Sequence, residues 1–366
     1  MNILVTGAKG FIGQNLIASL RLLEDVTVNS YDQDTDVQLL YQYCKDADLI
    51  YHLAGTNRPK DNQEFIQNNS GFTEVLIEKL KILGNSCPII FSSSIQATLD
   101  NPYGKSKKVG EELLLSYGKD TGARIVILRI PNVFGKWCRP NYNSVIATLS
   151  YNIIHDLPIT IHDPHHVMNL IYIDDLIDEM IKLIELDKYG YHDFTNIYTV
   201  TLQYIVDLMI TFKDSRENKR LPNLSEEFSR KLYSTYISYL PDVQLKYELM
   251  TNIDERGSFT EFIKGETFGQ LSVNRSKPGI IKGNHWHKLK HERFLVVSGE
   301  GVIRLRKINT SVVITIKVDG EMLEVVDVPA GYVHNIENIG SSDMIILIWA
   351  NEIYDSSHPD TYYMEV

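Results

Sequence analysis

Two short stretches near the C-terminus carry residues whose types and spacing suit metal binding. In "GNHWHKLKHE", His285 and His287 are one residue apart and Glu292 follows, and "PAGYVHN" supplies His334. Alternate side chains of a β-strand face the same side, so His285 and His287 would point the same way. Three imidazoles and one carboxylate suit a divalent transition metal with open positions. A lone His-x-His pair more often consists of ordinary surface or core histidines, but the two stretches together predict a site for a divalent transition metal.

A glycine-rich stretch at the other end of the chain indicates a dinucleotide site. Gly7, Gly10 and Gly13 lie between an apolar strand, "NILVTG", and a stretch with helical spacing. Glycine lets the backbone turn tightly and approach a pyrophosphate, which binds the free N–H groups of the helix. Asp32 ends the second strand, where an acid would hold ribose hydroxyls. The alternative is a turn that binds nothing. The predicted cofactor contacts are Gly7, Lys9, Gly10, Phe11, Ile12, Gly13, Asp32, Leu53, Ala54, Tyr103 and Lys107.

The stretch "SSSIQATLDNPYGKSK" combines a serine, a tyrosine and a lysine that could transfer a proton. Tyr103 and Lys107 are four residues apart and would share one helix face. A nearby ammonium favours the tyrosinate, so Tyr103 could exchange a proton with a carbonyl or alcohol oxygen. Ser94, at a strand end, could hydrogen-bond the same oxygen. We therefore expect Ser94, Tyr103 and Lys107 to be catalytic.

These motifs together resemble the extended type of the short-chain dehydrogenase/reductase superfamily, over roughly residues 1–240. The stretches "YHLAG", "LRIPNVFG" and "LIYIDDL" look like later motifs of that family, whose extended members usually act on nucleotide sugars. The resemblance also implies that Asn68 is the family's structural asparagine. Many members have an arginine where Met168 and Asn169 stand here. Lys136 and Arg139 are therefore candidate substrate contacts, and the alternative is that both are solvated loop charges.

The two histidine stretches resemble the two motifs of the cupin superfamily, over roughly residues 243–366. A finer resemblance, on "DERGSFTEFIKG" and "VPAGYVHN", is to the 3- and 3,5-epimerases of nucleotide-linked 4-keto-6-deoxy sugars. That family uses the first histidine as a base, but we assign His285 to the metal because the ligand set is complete, which leaves the base unassigned. Lys282 stands where the family has an arginine facing the diphosphate. Trp349 lies near the position of the family's tyrosine, and Tyr332 is a candidate proton donor whose alternative is barrel packing.

The elements that must position these residues change in character near residue 240. Before it, strands and helices alternate, which predicts a doubly wound parallel sheet. After it, short β-rich runs are separated by Gly, Asn and Asp turns, which predicts an antiparallel barrel or sandwich. The predicted fold class is therefore α/β plus all-β: an N-terminal Rossmann-type parallel sheet and a C-terminal cupin (jelly-roll) barrel. We place an NAD(P)-binding short-chain dehydrogenase/reductase domain at 1–242 and a metal-binding cupin domain at 243–366.

The composition excludes several classes of partner. The chain has 366 residues and a formal net charge of -11, which argues against nucleic acid as a partner. Its apolar runs are too short for membrane insertion. Three cysteines without Cys-x-x-Cys spacing indicate reduced thiols. Because a strand begins at residue 2, we expect no signal peptide and a cytoplasmic location.

The order of the two halves resembles the bifunctional capsular polysaccharide synthesis enzymes of the CapF type. The resemblance implies a UDP-sugar substrate, NADPH, Zn2+ and a homodimer. It predicts an enzyme whose cupin domain epimerises C3 of a UDP-linked 4-keto-6-deoxy N-acetylhexosamine. The reductase domain would then reduce C4 with NADPH, giving a UDP-6-deoxy-talosamine-type product for capsular polysaccharide precursor synthesis.

Two points stay open at the level of sequence. Asp32 would repel a 2′-phosphate and favours NADH, whereas Lys9 could pair with that phosphate, and with the family resemblance NADPH is expected. The chain could also be a monofunctional reductase or epimerase with the cupin as a dimerisation module. A further alternative is a non-catalytic sensor of sugar nucleotides, against which the complete set of Ser94, Tyr103 and Lys107 argues.

Overall fold

The computed structural model describes residues 1–55 and 70–366, which form two compact units. The first unit comprises Met1–Met209 and Arg230–Leu240, and the second comprises Ile210–Ser229 and Pro241–Val366. The second unit thus includes a segment that we assigned to the N-terminal domain, and the boundary after residue 242 stays a prediction. Asn68 lies outside the described residues.

The helices and strands follow the order expected from the sequence. The helices are α1 (Phe11–Leu20), α2 (Val37–Asp46), α3 (Phe72–Leu83), α4 (Pro102–Thr121), α5 (Val145–Ile154), α6 (Ile173–Lys182), α7 (Leu202–Asn218) and α8 (Glu227–Ile237). The strands of the first unit are β1 (Asn2–Thr6), β2 (Thr27–Tyr31), β3 (Leu49–His52), β4 (Ile89–Ser94), β5 (Ile125–Ile130), β6 (Asn132–Phe134), β7 (Val167–Tyr172), β8 (Gly190–His192) and β9 (Tyr198–Thr201). Those of the second are β10 (Thr251–Asp254), β11 (Gly257–Gly265), β12 (Gly269–Ser276), β13 (Ile281–Trp286), β14 (Glu292–Ser298), β15 (Glu300–Lys307), β16 (Val313–Asp319), β17 (Val325–Val328), β18 (Tyr332–Asn338), β19 (Met344–Ala350) and β20 (Tyr362–Tyr363). No helix in the described parts of the chain combines the length and apolarity needed to cross a membrane.

A six-stranded parallel sheet with strand order β2-β1-β3-β4-β5-β8 forms the centre of the first unit. Its strands read as apolar runs because helices cover both faces. On β1, Ile3 and Val5 belong to a core cluster with residues of α1 and α6, whereas Leu4 belongs to a cluster with residues of α2, α3 and α4. The doubly wound α/β class predicted for this part is therefore confirmed. Three further strands, β6, β7 and β9, form a small separate sheet.

The second unit contains two antiparallel sheets with orders β10-β11-β12-β19-β14-β17 and β16-β15-β18-β13-β20. Their inward apolar residues form one core that includes Phe294, Ile303, Ile336 and Ile346. Alternating burial along β14 and β17 is typical of sheets with one covered face. The all-β class predicted for this part is confirmed.

Two candidate active sites

The glycine loop after β1 has the backbone geometry of a phosphate cradle. Gly7 has a φ of +69°, and a Cβ there would lie 2.7 Å from the Ala54 nitrogen. A Cβ on Gly13 would lie 2.3 Å from the Gly7 oxygen, so only glycine lets α1 approach the loop this closely. Helix α1 begins after Gly10, which has no capping side chain, and its first turn has no acidic residue. The loop therefore presents uncapped N–H groups at the positive end of a helix dipole.

The acidic end of β2 is tied to this loop. The Asp32 carboxylate accepts hydrogen bonds from the backbone nitrogens of Lys9 at 2.7 Å and Gln33 at 2.8 Å. The Lys9 ammonium pairs with Asp34, and this hydrogen bond raises the pKa of Lys9. Both partners are exposed, and such pairs contribute little to stability. Lys9 would have to leave Asp34 to reach a 2′-phosphate. The remaining predicted contacts Phe11, Ile12 and Leu53 pack against the first core cluster.

The end of β4 and the start of α4 bring Ser94, Tyr103 and Lys107 together. Asn101 caps α4 through the Gly104 nitrogen at 2.8 Å, and Pro102 occupies the first turn, so the helix starts just before Tyr103. Burial raises the pKa of Tyr103 to about 12, and a hydrogen bond with Ser94 opposes this shift. The serine and the phenol are therefore in contact, and burial favours the protonated phenol.

Lys107 is held by the strand rather than by Tyr103. It is 4% exposed, and its ammonium donates to the Ser92 carbonyl at 2.9 Å. Burial lowers the pKa of Lys107 to about 8, partly offset by the charge of Glu111. Burial of Tyr103 thus acts against the tyrosinate that the sequence indicated, and the catalytic roles of Ser94, Tyr103 and Lys107 stay predictions.

In the second unit, the four predicted metal ligands converge. His285 lies on β13, His287 follows that strand, Glu292 begins β14 and His334 lies on β18, where it pairs opposite His285. A β-bulge between Gly283 and His285 re-aims the strand just before the histidines. One ligand atom from each of the four residues lies within 4.8 Å of every other. The four residues that the sequence spacing singled out therefore form one cluster in space.

The protonation states and the unsatisfied atoms of this cluster fit a divalent cation. Nε2 of His287 and of His334 is buried and has no hydrogen-bond partner, although the two atoms lie 3.7 and 3.3 Å from Glu292 Oε2. Burial favours the protonated form of Glu292, but His287 and His334 outweigh it, and its pKa falls below the usual range. Burial and His334 lower the pKa of His285 to about 4. A neutral His285 imidazole and an ionised Glu292 carboxylate are ligand states that a metal requires.

The cluster opens on a cavity of about 290 Å³ between the two sheets of this unit. Lys282 lines it, and its ammonium donates to Asn274 Oδ1 and the Arg275 carbonyl at 2.8 Å each. Burial lowers the pKa of Lys282. Further polar lining residues are Glu261, Gln270, Ser272, Lys290, Glu352 and Tyr354. The cavity thus offers both cationic and hydrogen-bonding groups beside the cluster.

Comparison with known proteins covers the whole chain. Residues 3–197 match the NAD dependent epimerase/dehydratase family, and residues 252–362 match the polysaccharide biosynthesis C-terminal domain. The capsular polysaccharide assembling protein CapF from Staphylococcus aureus is 48% identical, covers 100% of both chains and superposes with a TM-score of 0.94. The chain is a CapF-type member of the NAD dependent epimerase/dehydratase family.

Two other proteins are similar to this chain, one over its full length and one in fold alone. A UDP-2-acetamido-2,6-beta-L-arabino-hexul-4-ose reductase from Pseudomonas aeruginosa is 38% identical to this chain over 368 residues. The match covers 100% of this chain and 99% of the relative. A UDP-glucuronic acid 4-epimerase from Bacillus cereus is 24% identical over 65% of this chain, with a TM-score of 0.57, and shares the fold alone. The resemblance inferred from the sequence is confirmed.

Four residues that the sequence suggested for the two sites have other local contacts in the structure. Lys136 pairs with Asp174, and Arg139 lies 5.7 Å from the Tyr142 ring, so both charges have local partners. Trp349 does not line the cavity: its indole N–H donates to the Phe268 carbonyl at 2.6 Å. Tyr332 packs against the core of the second unit, in agreement with the alternative of barrel packing. The substrate roles of Lys136 and Arg139 stay predictions.

The structure also reveals a buried carboxylate that the sequence analysis missed. Glu111 is 1% exposed and accepts hydrogen bonds from Ser93, from Tyr191 at 3.2 Å and from Arg129 at 3.0 and 2.7 Å. It lies on α4 four residues after Lys107, on the same helix face as Tyr103. The four-residue spacing from Tyr103 to Lys107 to Glu111 could have indicated this position from the sequence.

A buried histidine beneath the glycine loop was missed as well. His52 is fully buried on β3, with Nδ1 2.8 Å from Thr6 Oγ1 and Nε2 2.9 Å from Thr73 Oγ1. Burial, reinforced by the charge of Lys107, lowers the pKa of His52 to about 3. It is therefore neutral and links two hydroxyl groups within the core.

Proposed function

We propose that this CapF-type chain carries out two successive reactions on a UDP-linked 4-keto-6-deoxy N-acetylhexosamine. The C-terminal cupin unit inverts C3, and the N-terminal unit then reduces C4 with NADPH. The product is a UDP-6-deoxy-talosamine-type sugar for capsular polysaccharide precursor synthesis. The observation that carries the proposal is that one chain contains a glycine loop, a Ser94–Tyr103 pair, and a cluster of three histidines and one glutamate that opens on a cavity. The names of the Pseudomonas and Staphylococcus relatives support its reductase and capsule parts.

The reduction is assigned to groups on β4 and α4. NADPH, when bound, supplies a hydride to C4. Ser94 hydrogen-bonds the C4 oxygen, and the protonated Tyr103 phenol donates its proton to that oxygen. Lys107 stabilises the tyrosinate that remains. The glycine loop admits the pyrophosphate at the start of α1, and Asp32 orients the ribose.

The inversion at C3 is assigned to the cavity of the second unit. His285, His287, Glu292 and His334 would hold a Zn2+ ion, which, when bound, acts as a Lewis acid toward a carbonyl oxygen. Lys282 faces the cavity as a cation suited to the diphosphate. The Tyr354 side chain also lines the cavity and is the candidate proton donor, and the C3 base is unassigned.

The order of the two steps follows from carbon acidity. The C3 proton can be removed only while C4 is a ketone, because the resulting negative charge resides on the C4 oxygen. Once C4 has been reduced to an alcohol, that stabilisation is lost. Inversion therefore precedes reduction, although the residues assigned to inversion lie later in the chain.

Two single variants test this division of labour. In D2O with a UDP-4-keto sugar, Tyr103→Phe is expected to exchange deuterium into C3 while NADPH consumption falls by about 10²–10⁴-fold. His334→Ala is expected to lose C3 exchange and metal. Mass spectrometry and NMR of the products measure both. A Tyr103→Phe protein with full metal occupancy but no C3 exchange would contradict the proposal, and a wild type that binds the sugar without turnover would indicate a sensor.

A further inference from the structure

The last residues of the chain run along the strand that carries the metal-site histidines. We define the C-terminal strap as residues 360–364, which include β20. In the strap, Tyr363 pairs opposite His285 and Tyr362 pairs opposite Trp286 in an antiparallel register. The rings of Trp286 and Tyr362 stack with centroids 4.9 Å apart. The strap therefore adds an edge strand directly beside the first ligand strand.

Asp360, at the start of the strap, binds the loop that joins β13 to β14. Its carboxylate accepts three consecutive backbone N–H groups, from Lys288 at 2.8 Å, Leu289 at 2.7 Å and Lys290 at 2.9 Å. These three hydrogen bonds fix the segment that separates two members of the cluster, His287 and Glu292.

The backbone of the same residue contacts a ligand directly. The Asp360 carbonyl accepts a hydrogen bond from Nδ1 of His287. A carbonyl cannot donate, so Nδ1 carries the proton and Nε2 keeps its lone pair. Nε2 of His287 is the buried atom without a hydrogen-bond partner that faces Glu292. Histidines that bind metals almost always donate their other ring N–H to a carbonyl or a carboxylate, which fixes the tautomer and the ring orientation.

We propose that Asp360 is a positioning residue of the metal site, acting through its carboxylate on the β13–β14 loop and through its carbonyl on His287. The inference rests on the metal site of the proposed function and adds a residue 73 positions from His287 along the chain to it. The carboxylate that binds the loop and the carbonyl that accepts the His287 hydrogen bond belong to the same residue. Loss of the carboxylate therefore releases the loop and also frees the carbonyl to move away from His287. Removal of such outer contacts typically weakens metal binding by about 10–100-fold.

The experiment measures zinc affinity in the full-length protein by competition with a chromophoric chelator. Asp360→Ala is expected to weaken zinc binding by about 10–100-fold. Asp360→Asn keeps a neutral acceptor and is expected to lose less, since bonds to a charged acceptor are about twice as strong. Asp355→Asn is the matched control: Asp355 lies five residues earlier, caps its own turn at Ser357 at 2.8 Å, and its removal should leave the affinity unchanged.

A second readout separates positioning from a general loss of structure. In ¹⁵N-histidine NMR of the metal-free protein, His287 should show the Nδ1–H tautomer in the wild type and a tautomer mixture in Asp360→Ala. If the alanine variant unfolds, zinc affinity and the His287 spectrum of Asp360→Asn test the inference instead. Wild-type zinc affinity and an unchanged His287 spectrum in the Asp360 variants would overturn the inference alone. A wild type that binds no zinc would overturn the metal site itself, and the inference with it.

Discussion

Replacing Gly13 by alanine is expected to force the glycine loop away from α1. The new Cβ would lie 2.3 Å from the Gly7 oxygen and 2.9 Å from the Ala8 oxygen. Both are backbone atoms, so no side-chain rotation relieves the contact. The Gly7 oxygen also accepts the Gly10 N–H at 3.0 Å, and moving it therefore disturbs the turn that would receive the pyrophosphate.

The geometry sets the size of the effect. Van der Waals contact begins at 3.4 Å, so the loop and α1 must separate by roughly 1 Å. Overpacking of this kind typically costs about 1–3 kcal/mol of unfolding free energy. A displacement of about 1 Å in a binding site can weaken its function by about 10²-fold. Gly10→Ala is the matched control, because its Cβ would lie 3.1 Å from the same oxygen and its φ is -71°. We expect that variant to stay within about 0.5 kcal/mol of the wild type.

Urea unfolding and titration with NADPH measure the two effects. Deuterium exchange at C3 provides an internal control, since the proposed function assigns it to the second unit and Gly13→Ala should leave it intact. A Gly13→Ala protein with wild-type stability and wild-type NADPH affinity would refute the reasoning. Equal destabilisation by Gly10→Ala would also refute it, because the two positions differ in the distance to the Gly7 oxygen.

Three further predictions concern other buried or cavity groups. Glu111→Gln breaks the ion pair with Arg129 and should lower the unfolding free energy by about 3 kcal/mol in urea; a loss below about 0.5 kcal/mol would contradict it. His52 has a pKa of about 3 in the fold against 6.5 unfolded, so the unfolded chain binds more protons between these values, and the stability, full above pH 6.5, falls as the pH decreases. His52→Gln should reduce this slope by about 1.4 kcal/mol per pH unit, and equal slopes between about pH 6 and 5 would count against it. Lys282→Met should raise the KM of C3 exchange about tenfold with kcat nearly unchanged, whereas an unchanged KM would exclude a substrate contact.

The groups of candidate residues that the structure brings together depend on short-range geometry. Gly7 lies in the loop before α1 and Gly13 in the first turn of α1, and Tyr103 and Lys107 share one helix face, so short-range spacing brings each pair together. His285 and His287 are alternate residues of an extended segment, which brings both to one cluster. In each case the positions are set by bond geometry and helix or strand period rather than by distant packing.

Some misses were also within reach of the same periodicities. Glu111 continues the four-residue spacing of Tyr103 and Lys107, so its place on that helix face followed from the helical period. Trp349 lies between Ile348 and Ala350, which both line the cavity. The strand period therefore turns the Trp349 side chain away from the cavity, which excluded it as the missing proton donor.

The contacts of Asp360 had no such signal. The sequence between Glu292 and Asp360 contains six strands of the second unit, and only their combined pairing brings the strap beside β13. A shift of one residue in the register of β20 would replace Tyr363 opposite His285 and would turn the strap's side chains to the other face. Register over such a distance depends on the closure of both sheets, which no local spacing encodes. The four members of the cluster could therefore be grouped from the sequence, whereas the proposed positioning role of Asp360 at His287 required the fold.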